Sequence, residues 1–324
     1  MAKPPPKKSN NASKRTANSH RPTARGSRPP VRGGRPAGLF TWLAVGLVVA
    51  IVAGLVIIKV TTGGTTVNGA TTFQPTDPTT LAELTQVPAS VFNAVGISSG
   101  VAQVTPPEVL RGQPPLTGTN AQGKKLPEVL YIGAEYCPYC AAQRWATIVA
   151  LSRFGKWSNL GNMSSYSQDI YPNTPTFTFV RAKYNSPYLV FRGVEEFHNY
   201  LNAAGTNYAL LQQPTAQENA VLKKYDTPKY INGLTLSQKD SIPFLSFGNK
   251  FLVAGASYSP STLSGSSRSA IAAALSNPTS PITQAIIASA NFQTAALCTL
   301  TGQKPTTVCT SSAVKKAAAL MKIK

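Results

Sequence analysis

The stretch EVLYIGAEYCPYCAAQRW, residues 128–145, decides how this 324-residue chain folds. Val129 to Ile132 form a short apolar run rich in β-branched and aromatic residues, the pattern of a buried strand. Two of the four cysteines follow directly, Cys137 and Cys140, with Pro138 and Tyr139 between them. After the pair, AAQRWATIVALSRFG (141–155) contains no Pro or Gly before Gly155. Its apolar positions Trp145, Ile148, Val149 and Phe154 suit a buried helix with Gly155 as C-cap. The local order is therefore strand, cysteine pair, helix.

That order has a chemical consequence. A thiolate is the nucleophile in disulfide exchange, and a free cysteine has a pKa of about 8.5. A cysteine at a helix N-terminus meets unpaired N–H groups and the positive end of the helix dipole, so its thiolate is stabilised. The three-residue step puts Cys140 one turn along, in reach of a mixed disulfide on Cys137. Pro138 fits the first helical turn, where a missing N–H costs nothing.

Downstream, TFTFVRAKY (176–184) and YLVFRGV (188–194) read as strands, and TAQENAVLKKYD (215–226) reads as an amphipathic helix. In SIPFLSFGNKFLVAG (241–255), Phe244 to Phe247 is a strand and Phe251 to Val253 its return. Gly248-Asn249 between them is a two-residue hairpin turn. A Ser-rich helix start leads into SRSAIAAAL, and two further helices are expected near 282–299 and 311–323.

These two stretches together resemble the thioredoxin superfamily. EVLYIGAEYCPYCAAQRW is similar to that fold's first core strand, active-site loop and long helix, and SIPFLSFGNKFLVAG to its later half. The resemblance covers roughly residues 126–276. It implies a thioredoxin-like α/β fold: a central mixed sheet flanked by helices, with a helical insertion at about 155–230 and extra C-terminal helices (277–324). It implies that Cys137 is the attacking cysteine, that Cys140 resolves, and that Pro243 is a cis-proline facing the pair, with Ile242 before it at the substrate groove. Glu135, Tyr136, Pro138 and Tyr139 would touch substrate or tune the reduction potential. That potential spans about 150 mV between a reducing thioredoxin and a strongly oxidising relative. By the same resemblance, a Pro after the first cysteine belongs to the more oxidising members. One position departs from the pattern: thioredoxins carry a buried Asp six residues before the first cysteine, where this chain has Tyr131. Glu135 is the one acid close by in sequence, and it reads as a surface residue. The CPYCAAQRW run and the anchored layout also resemble a bacterial and archaeal family with a single membrane anchor, domain of unknown function 929.

The anchor is read at the other end of the chain. Residues 1–38 hold ten Lys or Arg and no acid, half of the formal net charge of +20. Rich in Pro, Ser, Gly and Asn, this tail cannot bury enough surface to offset its ordering entropy, so disorder is expected. LFTWLAVGLVVAIVAGLVII (39–58) then runs twenty residues without a charge, enough at about 1.5 Å per residue to cross a hydrocarbon core of about 30 Å. No A-x-A cleavage site follows, so an uncleaved signal-anchor is expected. Arg28, Arg32 and Arg35 before it, against Lys59 after it, put the N-terminus in the cytoplasm and the remainder outside the plasma membrane. The basic tail then faces anionic lipid, and no aromatic-basic interleaving supports nucleic acid as a partner. Gly46, Ala50 and Gly54 form a small-xxx-small ridge that would let two such helices pair as a homodimer, although ordinary use of small residues in a span is the plainer reading. Residues 59–80 read as a flexible linker, and 81–125 as a packing extension with one short helix.

Other chemistries fit less well. A structural zinc site would need Cys298 and Cys309 as further ligands, and their separation in CTLTGQKPTTVC is unlike a zinc knuckle. They read better as a structural disulfide in an oxidising compartment, a second redox pair being the alternative. His198, in VEEFHNY, reads as a surface residue. No serine-hydrolase or nucleotide-binding motif occurs. No metal and no cofactor are expected. The function expected is a membrane-anchored, extracytoplasmic thiol–disulfide oxidoreductase acting on exported proteins, with a redox partner that resets the pair. The alternative is a non-catalytic binding or scaffold protein on the same fold.

Overall fold

The computed structural model describes residues 73–97 and 104–323. The expected tail, anchor helix and most of the linker lie outside these residues. Among the described residues no helix is long and apolar enough to cross a membrane.

The chain begins with two short helices, α1 (Pro78–Thr85) and α2 (Ala89–Val95), and the strands β1 (Glu108–Val109), β2 (Thr117–Thr119) and β3 (Lys125–Gly133). Helix α3 (Pro138–Ser152) follows, then the short strands β4 (Lys156–Ser158), β5 (Gly161–Ser164), β6 (Pro175–Thr178) and β7 (Lys183–Asn185). Next come β8 (Val190–Glu195), β9 (Phe197–Leu201), β10 (Tyr208–Leu210) and α4 (Ala216–Tyr225). The chain continues with β11 (Phe244–Phe247), β12 (Phe251–Ala254), α5 (Arg268–Ala274), α6 (Pro281–Leu300), α7 (Thr306–Cys309) and α8 (Ser312–Leu320).

Strand β3 is the axis of a mixed six-stranded sheet. It pairs antiparallel with β11, Phe244 opposite Ile132, and parallel with β8, Gly133 opposite Glu195. The hairpin partner β12 lies outside β11, β1 borders β12, and β2 pairs with the first residues of β3. Val129, Leu130, Tyr131 and Ile132 are all 0 % exposed, because both faces of β3 are covered. Side chains alternate across a strand. Val129 and Tyr131 accordingly join the larger core with Trp145, Ile148 and Ile286, while Leu130 and Ile132 join a smaller one with Val221, Leu222 and Tyr225. Helices α3 and α6 cover one face of the sheet, and α4 covers the other.

The fold class is therefore mixed α/β, a central mixed sheet flanked by helices. The expected helical insertion is corrected: residues 155–230 carry seven strands and a single helix, α4. The aromatic and β-branched residues of TFTFV and YLVF favour extended chain, and they fill the space around Trp157, Phe179 and Phe191, whose rings pack edge-on or stacked. Helix α4 has a complete capping box, Thr215 with Glu218. Two further boundaries differ. Helix α3 ends at Ser152, and Gly155 is instead a point of close approach: a Cβ there would meet the Asn185 carbonyl at 2.5 Å. The extension holds two helices, not one. Residues 73–80, expected as linker, pack on the domain through Pro75 bridging Gly161, the Thr76 N–H donating to Leu160 O (2.8 Å) and Asp77 capping α1.

The C-terminal helices close the larger core. Fifteen of the twenty residues of α6 are buried, many of them Ala, so that α3 can approach closely. Asn291 on α6 donates to Phe92 O (3.0 Å) and Gly96 O (2.7 Å), tying down α2. Cys298 and Cys309 form a disulfide that clips α6 to α7 across 11 positions. In the chain-entropy account a loop of this length contributes about 3 kcal/mol. Replacing both cysteines with Ala should lower unfolding stability by roughly 2–4 kcal/mol in urea titration; an unchanged midpoint would mean that helix packing alone holds the C-terminus.

Candidate functional site

The cysteine pair sits where β3 ends and α3 begins. Cys137 is the N-cap of α3 with extended backbone, and Pro138 occupies the first turn. The Cys140 N–H donates to Cys137 Sγ at 3.1 Å, so the sulfur takes the place of a capping oxygen. Both thiols are free, Cys137 5 % exposed and Cys140 0 %. The Cys137 thiol faces the Ile242 carbonyl at 3.9 Å, and the Ile242–Pro243 peptide bond is cis. A hairpin on β11 thus brings residues a hundred positions away against the pair.

The two sulfurs are electrostatically distinct. Burial alone would push the Cys137 thiol up, but hydrogen bonds from the Cys140 side chain and backbone, with the Arg144 charge, carry it below its ordinary value. Burial holds Cys140 well above its ordinary value, reinforced by the hydrogen bond and charge of Cys137, against the opposing charge of Arg144. The pair behaves as a unit with one easily lost proton, held at Cys137.

Aromatic rings from the β-rich segment surround this loop. Tyr136 stacks on Tyr208 of β10, centroids 3.7 Å apart and planes 2° apart, with Tyr166 edge-on to Tyr208. Tyr139, 41 % exposed between the cysteines, meets Tyr171 edge-on. The Tyr166 N–H also donates to Tyr136 O (2.8 Å). Tyr166, Tyr171 and Tyr208 were not foreseen from the sequence; the Tyr-rich YSQDIY segment was the available signal. Glu135, expected at the surface, is corrected, while His198 keeps 25 % of its side chain exposed. Glu135 is 3 % exposed and its Oε2 lies 3.2 Å from His198 Nδ1, because β9 passes directly beside the loop. The two line an open cleft of about 810 Å³ together with Phe73, Met163, Arg181 and Arg268. With Cys298 and Cys309 bonded to each other, they are not available as metal ligands beside Cys137 and Cys140. Among the described residues, no cluster of three or more His, Cys, Asp or Glu could hold a metal ion.

Behind the pair lies a buried ion pair. Arg144, 0 % exposed, donates from Nε to Glu195 Oε1 (2.9 Å) and from Nη2 to Glu195 Oε2 (2.5 Å). Nη2 also donates to Ala134 O at 2.7 Å. Glu195, at the end of β8, is equally buried and accepts weakly from the Phe179 N–H (3.4 Å). Tyr131 is buried beneath the guanidinium, 5.7 Å from ring centroid to Cζ. Neither Tyr131 Oη nor Arg144 Nη1 has a hydrogen-bond partner among the described residues. Trp145, expected in the core, is 0 % exposed and donates to Pro175 O (2.9 Å).

A third buried acid supports the opposite wall. Asp226, at the C-cap of α4, accepts from the Ser241 N–H at 2.7 Å, just before Ile242 and Pro243. Burial raises its carboxyl to about 6, against the opposing Ser241 hydrogen bond and with Asp240 adding to the rise.

The family model described as Domain of unknown function (DUF929) matches residues 116–299, more than half of the chain, and the chain belongs to this family. The matched span contains the cysteine pair, Arg144, Glu195 and Pro243, and ends before Cys309. No match was found among curated proteins or among solved structures.

Asp226 gives the site a pH signature. Its folded value lies above the usual carboxylate value of about 3.9, so folding is favoured while it is protonated and loses this contribution as pH rises from about 4 through about 6. Asp226→Asn, which keeps an acceptor for Ser241, should match wild type at pH 4 and be the more stable protein at pH 7.5, as read by urea midpoints. An equal difference at both pH values would remove Asp226 from this role.

Proposed function

We propose that the protein is a membrane-anchored, extracytoplasmic thiol–disulfide oxidoreductase on a thioredoxin-like fold, acting on exported proteins through Cys137 and Cys140. The observation that carries the reading is the capping of α3 by the Cys137 sulfur, with the Cys140 N–H aimed at it. The order β8, β3, β11, β12, parallel once and then antiparallel, supports the fold assignment, as does the contact of Cys137 with the loop that carries Pro243. The Cys298–Cys309 disulfide is in keeping with an oxidising compartment.

In the reducing direction, the Cys137 thiolate attacks one sulfur of a substrate disulfide. A Cys137–substrate bond forms, the substrate S–S bond breaks, and the second substrate sulfur leaves with the electron pair and takes up a proton. Cys140 then attacks Cys137, closing the Cys137–Cys140 disulfide and releasing the first substrate thiol. Oxidation of a dithiol substrate runs the same steps backwards. A redox partner resets the pair after either outcome. Tyr139, exposed between the sulfurs, and Tyr136 flank the point of attack, and Ile242 presents its carbonyl there.

The second reading, a non-catalytic binding or scaffold protein, draws on one observation: Cys137 is only 5 % exposed, so a substrate sulfur reaches it only if the surrounding loop yields. The two are separated with the full-length protein in detergent. Wild type should speed reoxidation of reduced ribonuclease or reduction of insulin, Cys137→Ser should abolish both, and Cys140→Ser should accumulate a mixed disulfide with substrate. Absence of both activities, with no trapped species in the Cys140→Ser protein, leaves the scaffold reading standing. A reporter fused after Lys324 and active only in the cytoplasm would overturn the orientation.

A further inference from the structure

We infer that Arg144, held in place by Glu195, is the positioning charge that lets the buried Cys140 ionise when it resolves a mixed disulfide, the task for which the resemblance expected a carboxylate at position 131. This deepens the oxidoreductase reading and rests on it. The geometry begins with spacing. Cys137 and Cys140 stand three residues apart along α3 and Cys140 and Arg144 four, so their side chains share one face of the helix. The guanidinium cannot swing away, since Glu195 on β8 grips two of its nitrogens and the Ala134 carbonyl takes a second bond from Nη2. Ala134 belongs to the loop that delivers Cys137, whose N–H also donates to the Ala134 carbonyl (3.3 Å). One fixed cation is thereby tied to the helix, the neighbouring strand and the cysteine loop together.

The remaining nitrogen, Nη1, is fully buried and has no partner among the described residues, and the same is true of Tyr131 Oη. A buried guanidinium N–H without a protein acceptor is costly unless charge develops beside it. Cys140 is the neighbour at which charge develops. The ionisable groups around it are Tyr131 from β3, Glu195 from β8, and Cys137 and Arg144 from its own helix; Glu135, paired with His198, stands next in line beside Glu195. Tyr131 is held neutral by burial, well above its ordinary value. No carboxylate on this list is free to act as a base, because Glu195 already accepts two bonds from Arg144. The Arg144 charge also favours the thiolate at both cysteines.

The step balances without any further reactant. Cys140 gives up its proton and its sulfur attacks Sγ of Cys137 in the Cys137–substrate disulfide. The Cys137–Cys140 bond forms and the Cys137–substrate bond breaks. The electron pair leaves on the substrate sulfur, which ends with the proton that Cys140 lost. A cation beside Cys140 lowers the energy of the intervening thiolate without taking the proton itself, so Tyr131 need not be an acid.

The test uses 4,4′-dithiodipyridine, a small neutral disulfide, on the reduced full-length protein in detergent. Attack by Cys137 releases one thiopyridone and attack by Cys140 releases the second, so the second phase reads resolution directly, whether or not any protein is a substrate. Cys140→Ser identifies that phase by losing it. Replacing the ion pair with amides (Arg144→Gln with Glu195→Gln) avoids stranding a charge; it should slow the second phase about tenfold at pH 7 and move its pH midpoint upward by about one unit. Arg144→Lys keeps the charge and loses the bidentate grip, so its second phase should fall between wild type and the amide pair. Glu195→Gln alone leaves the cation unneutralised and should speed the second phase at low pH. A merely structural ion pair would change unfolding stability and leave the pH profile of the second phase where it was. An unshifted profile in the amide pair overturns the inference. If that protein fails to fold, an unshifted profile in Glu195→Gln overturns it instead. Loss of protein-substrate turnover with the second phase intact would count against the proposed function and not against Arg144.

Discussion

Arg144 and Glu195 meet with neither side chain open to water, and the arrangement of the site follows from that contact. Removing two ions from water costs several kcal/mol apiece, and their attraction offsets this only where geometry and hydrogen bonding are nearly complete. Here the bidentate contact and the extra bond to Ala134 require α3, the end of β8 and the residue-134 loop to keep a fixed relation. A small rotation of α3 would break at least one of these bonds and strand a charge. The position of Cys137 at the helix start is therefore fixed from behind, by a salt bridge 51 residues long in sequence, as well as by its own local capping.

The sequence was legible wherever structure is local. Strand β3, the cysteine pair, α3, the β11–β12 hairpin and α4 all announce themselves through periodicity or Gly-Asn over a few residues. The hairpin turn follows this rule closely: Gly248 and Asn249 both take positive φ, and the Lys250 N–H closes back on Phe247 O at 2.9 Å. What stayed hidden depends on partners far along the chain. Nothing near Arg144 names Glu195, and nothing near Tyr136 names Tyr208. The same holds for Glu135, which looks like a surface acid until β9 is laid beside it. The segment 155–230 was read only in part, its strands near 176–184 and 188–194 but not the others, for another reason. Its strands are three to six residues long, too short for a period-2 pattern to stand out, and their hairpins are stabilised by aromatic contacts between segments and not by their own alternation.

The segment between α3 and α4 does more than connect them. Tyr166 and Tyr171 come from the turn after β5, Tyr208 from β10 and Phe197 from β9, and all four rings gather at the cysteine loop. They shield the loop from one side while the Ile242–Pro243 segment approaches from the other. Cys137 is left with a narrow exposure and Tyr139 with a wide one. On the proposed function, a polypeptide substrate would touch these aromatic rings before it touched sulfur, so the rings would bear on access to the pair.

The distribution of acids carries the argument one step further. The chain has 11 acidic residues against 31 Lys and Arg, and in so basic a protein each carboxylate has many exposed cations to pair with at the surface. Yet Glu135, Glu195 and Asp226 are 3 % exposed or less, and each lies against the cysteine loop or the segment leading to Pro243. Burial of such groups is poor evidence for stability, since apolar residues of similar volume often serve as well or better. Asp226 even carries a pKa raised in the direction that weakens folding at neutral pH. Groups that cost stability and converge on one place mark where the fold serves chemistry in preference to its own stability. On the proposed function, that place is the pair of sulfurs at the start of α3.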